Sequence, residues 1–547
     1  MQHYERNIKL LSEYQPDVFK KIGAEPKLKF DNIDVGFGTN NDGVIDNIVT
    51  KVGDKMYVDS KGADSEMWVK FVNPDLHTIV VLGIGLGYHV EKLIDTYPDK
   101  KIFVVEPDKR ILAHAMHLKD FEKIFKNTTI WLDEEVNLVK IKIFEMITHP
   151  LARGIQFVPY VGLYQQYIID LMGALQRMLN DWAVMVNTKR CLVDKWYLNR
   201  IENVKRETAS AKSLVGKFKD IPAILVGAGP SLQTQIERLK SLQNKAVIIA
   251  ASTAVEILNT HGIRPTFAIA IDQDPVTSGG LHENLDSDVP LLYDGQVAQN
   301  SMNYKAKKFQ FCLNVNKYTG MVIPDLPVFE SGPSVANVAL DFLYKIGCSP
   351  ILLVGVDLSY TNNKLYCDGT KFNQDMNQEN TMKMANNKGE LCSTEPSFLA
   401  MRNWFEEYAG RVKPNVFNCT ESGLPIKNIP NRDFNEFVLD TEYDFDALIR
   451  YEPVTANYKT VNEELIVELD GIKSALNTEK KLTPQQQQTR GWTLVDEFIQ
   501  SMLYLEEIRC ESRIKKGMDT GESIAIFHNR RIELINEAVD KLKEILK

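Results

Sequence analysis

The first residues suited to chemistry form a glycine-rich turn at the end of an apolar run. The run 221–226 passes into the sequence Gly-Ala-Gly-Pro-Ser, and a helical pattern begins directly after it. A turn of this kind at a helix start can offer free backbone N–H groups to a phosphate or carboxylate. We therefore predict a nucleotide-binding turn made of Gly227, Gly229, Pro230 and Ser231.

Two later strand ends in the same region also carry polar side chains. Ser252 follows the β-like run 246–250, and Asp272 and Asp274 follow the run 267–271. Parallel strands end at the same edge of a sheet, so these side chains are expected to face one nucleotide site. Asp272 could bind a ribose hydroxyl, hold a metal ion together with Asp274, or only cap the following turn.

A second turn and a pair of phenols lie further along the chain. Ser331 and Gly332 precede a helical pattern at 335–346, where a helix N-terminus could attract an anion. Tyr360 and Tyr366 follow the apolar run 351–354. Phenols can donate hydrogen bonds to a departing phosphate without carrying charge themselves. Ordinary burial of aromatic rings beside a sheet is the alternative explanation for both tyrosines.

Sheets must position these residues. A chain of 547 residues is too long to fold around a single hydrophobic core. From about residue 30 to 160, short strands alternate with helical patterns, and a second alternating region runs to about 435. We predict an α/β protein with two Rossmann-like, doubly wound parallel-sheet domains and an α-helical C-terminal domain. The predicted domains are 1–205, including a helical connector, the catalytic domain 206–440, and the helical domain 441–547.

The N-terminal region has a glycine motif of its own. Gly83, Gly85 and Gly87 follow the run 78–82, and Glu106 ends the next predicted strand. An acidic residue at that position could bind a ribose, and the pattern resembles the first two motifs of nucleoside-methionine-dependent methyltransferases. Alternatively, the glycines only permit tight packing between strand and helix.

Composition excludes several classes of protein. The net charge of −9 gives no basic excess of the kind that binds nucleic acid. Seven cysteines are scattered singly without a C-x-x-C pair, which argues against a disulfide framework and a cysteine zinc site. No run of 18 apolar residues and no signal-like N-terminus occur, so we expect a cytoplasmic protein without a membrane span.

Three stretches carry a family resemblance: VGAGPSL at 226–232, ESGPSVANVALDFLYKIGCSPILLVGVDLSY at 330–360, and VFNCTESGLPIKNI at 416–429. They resemble the motility accessory factor (Maf) family of flagellin glycosyltransferases, and the block 210–430 is similar to bacterial sialyltransferases. The resemblance implies transfer of a nonulosonic acid, such as pseudaminic or legionaminic acid, from its CMP-activated form to Ser/Thr of flagellin. It implies neither a cofactor nor a metal.

The resemblance also implies roles for individual residues. Ser252 and Asp272 or Asp274 would lie near the cytidine and ribose. Ser331 and Gly332 would hold the donor's carboxylate and phosphate, and Tyr360 and Tyr366 would assist the departure of CMP.

Two features depart from the sialyltransferase pattern. Ala228 replaces an asparagine between the two glycines, and the chain has no histidine between His282 and His528. A histidine base is therefore missing from the part of the central region after His282, and the candidate general bases are the carboxylates of Asp368 and Glu395.

Two other functions stay open at this point. The central region also resembles an archaeal type of pterin diphosphokinase, in which Asp272 and Asp274 would hold magnesium for phosphoryl transfer. A chaperone that binds flagellin and only retains a nucleotide-binding fold is the non-enzymatic alternative.

Overall fold

The computed structural model describes residues 2–23, 33–52, 55–59, 72, 78–147, 155–159, 164–273, 289–361, 363–369, 381–479, 482–499 and 520–547. The chain divides into two compact units. The first comprises Met1–Asn187 and Ser501–Arg531, and the second comprises Thr188–Gln500 and Ile532–Lys547. The three-domain boundaries given above remain a prediction.

The first unit contains two separate sheets. Helices α1 (Gln2–Tyr14) and α2 (Pro16–Ile22) precede an antiparallel sheet of β1 (Ile33–Thr39), β2 (Ile45–Val52) and β3 (Lys55–Asp59). The expectation of alternating strands and helices from residue 30 is wrong for this part. Short connections such as 40–44 can join only antiparallel neighbours, because a parallel pair needs a long crossover.

The second sheet of this unit is parallel, with strand order β6-β5-β4-β7. All five side chains of its central strand, Thr78–Leu82, are buried, as expected for a strand covered on both faces. Its strands are β4 (Thr78–Leu82), β5 (Lys101–Glu106), β6 (Thr128–Leu132) and β7 (Ile155–Pro159). The helices between them are α3 (Tyr88–Thr96), α4 (Lys109–Leu118), α5 (Glu122–Asn127) and α6 (Val136–Ile147).

The long helix α7 (Gln165–Asn203) leads into the second unit, which is built on a ten-stranded sheet. Its main path is β18-β15-β9-β10-β11-β12-β13-β8-β19, and β14 pairs with β13. The strands are β8 (Thr208–Ser210), β9 (Ala223–Val226), β10 (Val247–Ala251), β11 (Phe267–Ala270), β12 (Leu291–Asp294), β13 (Lys308–Leu313), β14 (Val328–Phe329), β15 (Ile351–Val354), β18 (Val416–Asn418) and β19 (Pro453–Val454).

The second unit also contains a β-hairpin and several α-helices. The hairpin consists of β16 (Met382–Ala385) and β17 (Leu391–Thr394). The helices are α8 (Leu232–Lys240), α9 (Ser252–Thr260), α10 (Lys317–Val322), α11 (Val335–Ile346), α12 (Pro396–Val412), α13 (Phe445–Leu448) and α14 (Tyr458–Glu479), with residues 490–499 also helical. Helix α15 (Thr520–Leu546) belongs to this unit from Ile532 onward.

Alternate residues of the central strand β9 belong to two different cores. Ala223 and Leu225 pack into one hydrophobic cluster, and Ile224 and Val226 pack into another. Because successive side chains of a strand point to opposite faces, both faces of the sheet are covered. The predicted doubly wound α/β fold is confirmed. One strand departs from the parallel pattern, since β19 pairs antiparallel with β8 at the sheet edge.

The strand order reverses next to β9, and this point matters for function. From β9 the chain proceeds through β10, β11, β12 and β13 to one side, whereas β15 and β18 lie on the other side. In open α/β sheets, ligands bind outside the carboxyl ends of the strands at such a switch point. Both the glycine turn after β9 and the tyrosine loop after β15 start there.

None of the helices in the described ranges is long and apolar enough to cross a membrane.

Candidate functional site

The glycine turn after β9 is locked to the loop after β15. The N–H of Gly227 donates to Val354 O at 2.8 Å, and the N–H of Gly229 donates to Gly355 O at 2.8 Å. A Cβ atom on Gly227 would lie 2.4 Å from Gly355 O, and one on Gly355 would lie 2.4 Å from Gly227 O. Glycine is therefore required on both sides of this contact, because any side chain would strike backbone.

A buried carboxylate holds the end of the same turn. The N–H of Ser231 donates to Asp357 Oδ2 at 2.8 Å, and the Ser231 hydroxyl also donates to Asp357. The expectation that the turn leaves its N–H groups free is therefore wrong for Gly227, Gly229 and Ser231. The reason is that Asp357 and the β15 backbone already accept these hydrogen bonds, and Pro230 has no N–H to offer.

Burial raises the pKa of Asp357 to about 6, because desolvation outweighs the stabilising hydrogen bonds from Ser231. A carboxyl pKa that is raised on folding stabilises the folded chain at low pH, and this contribution is lost as the pH rises through 6.

We expect the free energy of unfolding of the parent chain, relative to Asp357→Asn, to rise by about 1 kcal/mol between pH 7 and pH 5. Asparagine keeps the shape but does not titrate. Urea unfolding of both proteins at the two pH values measures the difference. A constant difference would show that Asp357 ionises with an ordinary affinity for protons.

Tyr360 and Glu395 form a hydrogen-bonded pair at the carboxyl end of β15. The Tyr360 hydroxyl donates to Glu395 Oε2 at 2.7 Å, and the ring packs edge-on against Phe398 with centroids 5.6 Å apart. Tyr360 is buried, and burial together with the Glu395 carboxylate raises its pKa to about 12. Its proton is therefore held at neutral pH and directed at Glu395.

The charges of two carboxylates act on Tyr366. Burial raises its pKa, and the charges of Glu395 and Asp272 raise it further. Asp272 follows β11, which is three strands from β15 and therefore about 14 Å away across the sheet. The structure thus brings Tyr360 and Glu395 into contact, and it places Tyr366 within electrostatic reach of Glu395 and Asp272.

Helix α12 connects this cluster to the turn at Ser331. Phe398 contacts Tyr360, whereas Trp404 Nε1, about 9 Å further along the helix, donates to Ser331 O at 2.9 Å. The N–H of Ser331 donates to Asn314 Oδ1 at 3.0 Å. A Cβ atom on Gly332 would lie 2.4 Å from the Cβ atom of Asn337, so close packing requires this glycine.

The remaining predicted site residues have different surroundings. Asp368 is exposed and ion-paired with Lys364 at 2.6 Å. Ser252 opens α9 at the carboxyl end of β10. Asp274 lies outside the described residues.

Sequence reasoning missed the polar network that holds the Asp272 loop. Trp196 Nε1 donates to Gln273 Oε1 at 3.0 Å, and Asn199 Nδ2 donates to Gln296 O at 3.0 Å. Arg200, which is fully buried, donates to Gln296 Oε1 at 3.1 Å and pairs with Glu497 at 3.0 Å. The polar residues Asn199 and Arg200, on an otherwise amphipathic helix, were the sequence signal from which this network could have been predicted.

The glycine motif of the first unit has a structural role. Both oxygens of Glu106 accept backbone hydrogen bonds, from Ile84 N–H at 2.8 Å and from Asp108 N–H at 3.0 Å. A Cβ atom on Gly87 would lie 2.4 Å from Ile124 Cδ1. The ribose-binding interpretation of Glu106 is therefore wrong for this structure, because its carboxyl group is fully buried and already accepts hydrogen bonds from the backbone of the same chain.

Two family models match the chain. The model of the glycosyltransferase Maf N-terminal domain matches residues 39–143, and the 6-hydroxymethylpterin diphosphokinase MptE-like model matches residues 197–363. An uncharacterized protein of Treponema pallidum (strain Nichols) is 28% identical over 131 residues, which span 22% of this chain and 60% of that relative.

The fold of the whole chain is similar to a solved structure, the Maf glycosyltransferase from Magnetospirillum magneticum AMB-1. The TM-score is 0.64 at 16% identity, and the match covers 100% of this chain and 95% of that one. The two model matches, in this order along the chain, support the resemblance to the Maf glycosyltransferases, and the structural match shows a shared fold.

Proposed function

We propose that the chain is a glycosyltransferase that moves a nonulosonic acid from its CMP-activated form to Ser/Thr hydroxyls of flagellin. One observation carries the proposal: Tyr360 donates to Glu395 in the loop after β15, and the charges of Glu395 and Asp272 both act on Tyr366 at the carboxyl edge of the central sheet. The family matches support a glycosyltransferase. The donor and the acceptor are inferred from the chemistry of the site and from the sequence resemblance.

In the proposed reaction, the bond between the sugar's anomeric carbon and the phosphate oxygen breaks, and its electron pair leaves with CMP. The acceptor hydroxyl forms a new bond to that carbon, and its proton passes to a carboxylate. Negative charge therefore develops on the leaving phosphate, where hydrogen-bond donors stabilise the transition state most strongly.

Tyr366 is the proposed donor to the leaving phosphate. Its raised pKa keeps the hydroxyl proton in place, so the group donates a hydrogen bond at neutral pH. It belongs to the tyrosine loop and is within electrostatic reach of Asp272, and a donor that reached from β15 to β11 across the strand ends is proposed to pass beside it. Tyr360 already donates to Glu395 and is proposed to orient that carboxylate.

Glu395 is the better placed of the two proposed bases. Its carboxylate is half-buried and within hydrogen-bond distance of Tyr360, at the tyrosine cluster. Asp368 is instead exposed and paired with Lys364. A base must reach the acceptor hydroxyl, and geometry therefore favours Glu395.

The donor phosphate needs a binding position other than the Gly227 turn, whose N–H groups are occupied. We place it at the first turn of α9, which begins with Ser252 between the strand ends of β9 and β11. First-turn N–H groups have no acceptor within their own helix, and the helix dipole favours an anion there.

Equilibrium binding of nucleotides tests this placement. CMP titrated into the full chain by calorimetry should bind, and Asp272→Asn should weaken the affinity if that carboxylate faces the ribose. Glu237→Gln, on α8, is the matched control, because this substitution also neutralises one carboxylate. Equal affinity in parent and Asp272→Asn would contradict the placement of the nucleoside.

We expect transfer to proceed without a divalent metal ion. A nucleoside monophosphate leaving group can be stabilised by phenol and backbone N–H donors alone. Turnover measured after dialysis against EDTA should equal turnover with added magnesium. Activity that disappeared with EDTA and returned with magnesium would instead favour the diphosphokinase chemistry.

A pterin diphosphokinase is the second candidate, and the MptE-like match at 197–363 favours it. This reaction would need carboxylates that hold magnesium. Of the proposed pair, only Asp272 lies within the described residues, where no group of three or more His, Cys, Asp or Glu side chains could hold a metal ion. Release of AMP from ATP and hydroxymethylpterin distinguishes this candidate.

A further inference from the structure

A cavity in the first unit has no part in the proposed transfer. It has a volume of 580 Å³ and lies between the α1–α2 turn, the end of α5 and the edge strand β6. This volume is in the range of small-molecule sites in proteins. The cavity residues belong to the same compact unit.

The edge of β6 is closed to a further strand. Gln15 Nε2 donates to Thr128 O at 2.6 Å, and Lys21 Nζ donates to Leu132 O at 2.9 Å. The N–H of Ile130 donates to Gln15 Oε1 at 3.4 Å. Because side chains already satisfy these outward backbone groups, an extended peptide cannot add to this edge, and a small molecule is the suitable occupant.

The cavity carries an excess of positive charge. Four lysines and two carboxylates line it, and Lys126 also pairs at 2.6 Å with Glu122 outside the lining, which leaves one positive charge in excess in a chain whose net charge is −9. Glu134 is only 9% exposed and pairs with Lys21 at 2.9 Å and with Lys142 at 2.5 Å. These two ammonium groups lower the pKa of Glu134, so one carboxylate faces two cations. Partial burial strengthens the attraction of this excess charge for an anion.

Aromatic rings stand beside these cations. Lys142 Nζ lies 5.4 Å from the ring centroid of Trp131, and Lys126 Nζ lies 5.3 Å from that of Tyr14. Phe125 also lines the cavity. Rings next to ammonium groups suit a molecule with an apolar or flat face and one anionic group, rather than a bare inorganic ion.

We propose that this cavity binds a small organic anion, of the size of a monosaccharide that carries a phosphate or a carboxylate. The proposal does not depend on the transferase function, because every residue that carries it lies in the first unit.

Calorimetry on the full chain tests the proposal, with glucose 1-phosphate, N-acetylneuraminate, inorganic phosphate and uncharged glucose as probes. One of the two organic anions should bind saturably, and glucose should not bind. Lys142→Gln should weaken binding by about tenfold or more, because it removes one charge-assisted contact. Glu134 keeps Lys21 in this variant, so the fold should be retained.

Lys123→Gln, which removes a lysine that pairs with Asp95 outside the cavity lining, should bind like the parent chain. Tyr366→Phe should also bind like the parent, which separates this site from the transfer site. Hydrogen exchange should slow in α2 and β6 when the anion binds. The proposal is overturned if neither organic anion binds, if inorganic phosphate binds as tightly, or if Lys142→Gln changes nothing.

Discussion

We expect Tyr366→Phe to lower kcat by about 100-fold and to leave the affinity for the proposed CMP-activated donor within a few-fold. The phenol is proposed to donate to the phosphate as charge develops there, and loss of one such donor typically costs about 100-fold in rate. The ring stays in place, so the packing beside Asp272 and Glu395 should survive. Steady-state kinetics of CMP release with flagellin as acceptor measures the effect.

Tyr360→Phe provides the comparison. The hydroxyl of Tyr360 donates to Glu395, so this variant should slow transfer to flagellin more than it slows hydrolysis of the donor without acceptor. Tyr366→Phe should slow both reactions alike, because CMP departs in each. If both phenylalanine variants transferred sugar at the parent rate, the tyrosines would be core aromatics and the proposed mechanism would lose its main donors.

Gly227→Ala should lower the free energy of unfolding by more than about 3 kcal/mol. The added Cβ atom would lie 2.4 Å from the carbonyl oxygen of Gly355, and neither backbone segment can yield without breaking the hydrogen bond from Gly227 to Val354. Urea denaturation followed by circular dichroism measures the loss.

Gly471→Ala is the matched control. Gly471 lies inside α14 with nothing within 4 Å of its Cβ position. Alanine at this helical position should raise stability by about 1 kcal/mol. If Gly227→Ala were as stable as the parent chain, the contact between the two loops would not be as close as described.

Much of the fold was predictable because buried parallel strands have a strong signature. The runs 78–82, 223–226 and 351–354 are uninterrupted apolar segments of strand length, and all three are strands with the predicted bounds. The helix Val335–Ile346 also begins and ends where its amphipathic pattern does. Local sequence determines the three strands, since their side chains are buried on both faces of the sheet.

The hydrogen bonds of the glycine turn were not predictable from local sequence. Asp357 lies 126 residues after Ser231, and only the pairing of β9 with β15 brings the two side chains together. The same limit applies to Glu106, because its position at a strand end fits both a ribose ligand and a loop anchor. The electrostatic influence of Glu395 and Asp272 on Tyr366 likewise depends on residues far apart in the chain.

The prediction of secondary structure from the sequence was weakest for the antiparallel sheet of β1, β2 and β3. Its strands carry exposed apolar residues, such as Ile45, Met56 and Val58, so burial does not distinguish one face of the sheet clearly. Strand pairing there follows from the short turn at 40–44.

Mass spectrometry of flagellin tests the central claim most directly. The full chain is incubated with flagellin and CMP-activated pseudaminic or legionaminic acid, and both CMP release and the intact mass of flagellin are measured. The account predicts CMP release together with a mass increase of whole nonulosonic acid residues on Ser/Thr, and loss of both in the Tyr360→Phe, Tyr366→Phe double variant. Unmodified flagellin, with AMP released from ATP and hydroxymethylpterin instead, would contradict it.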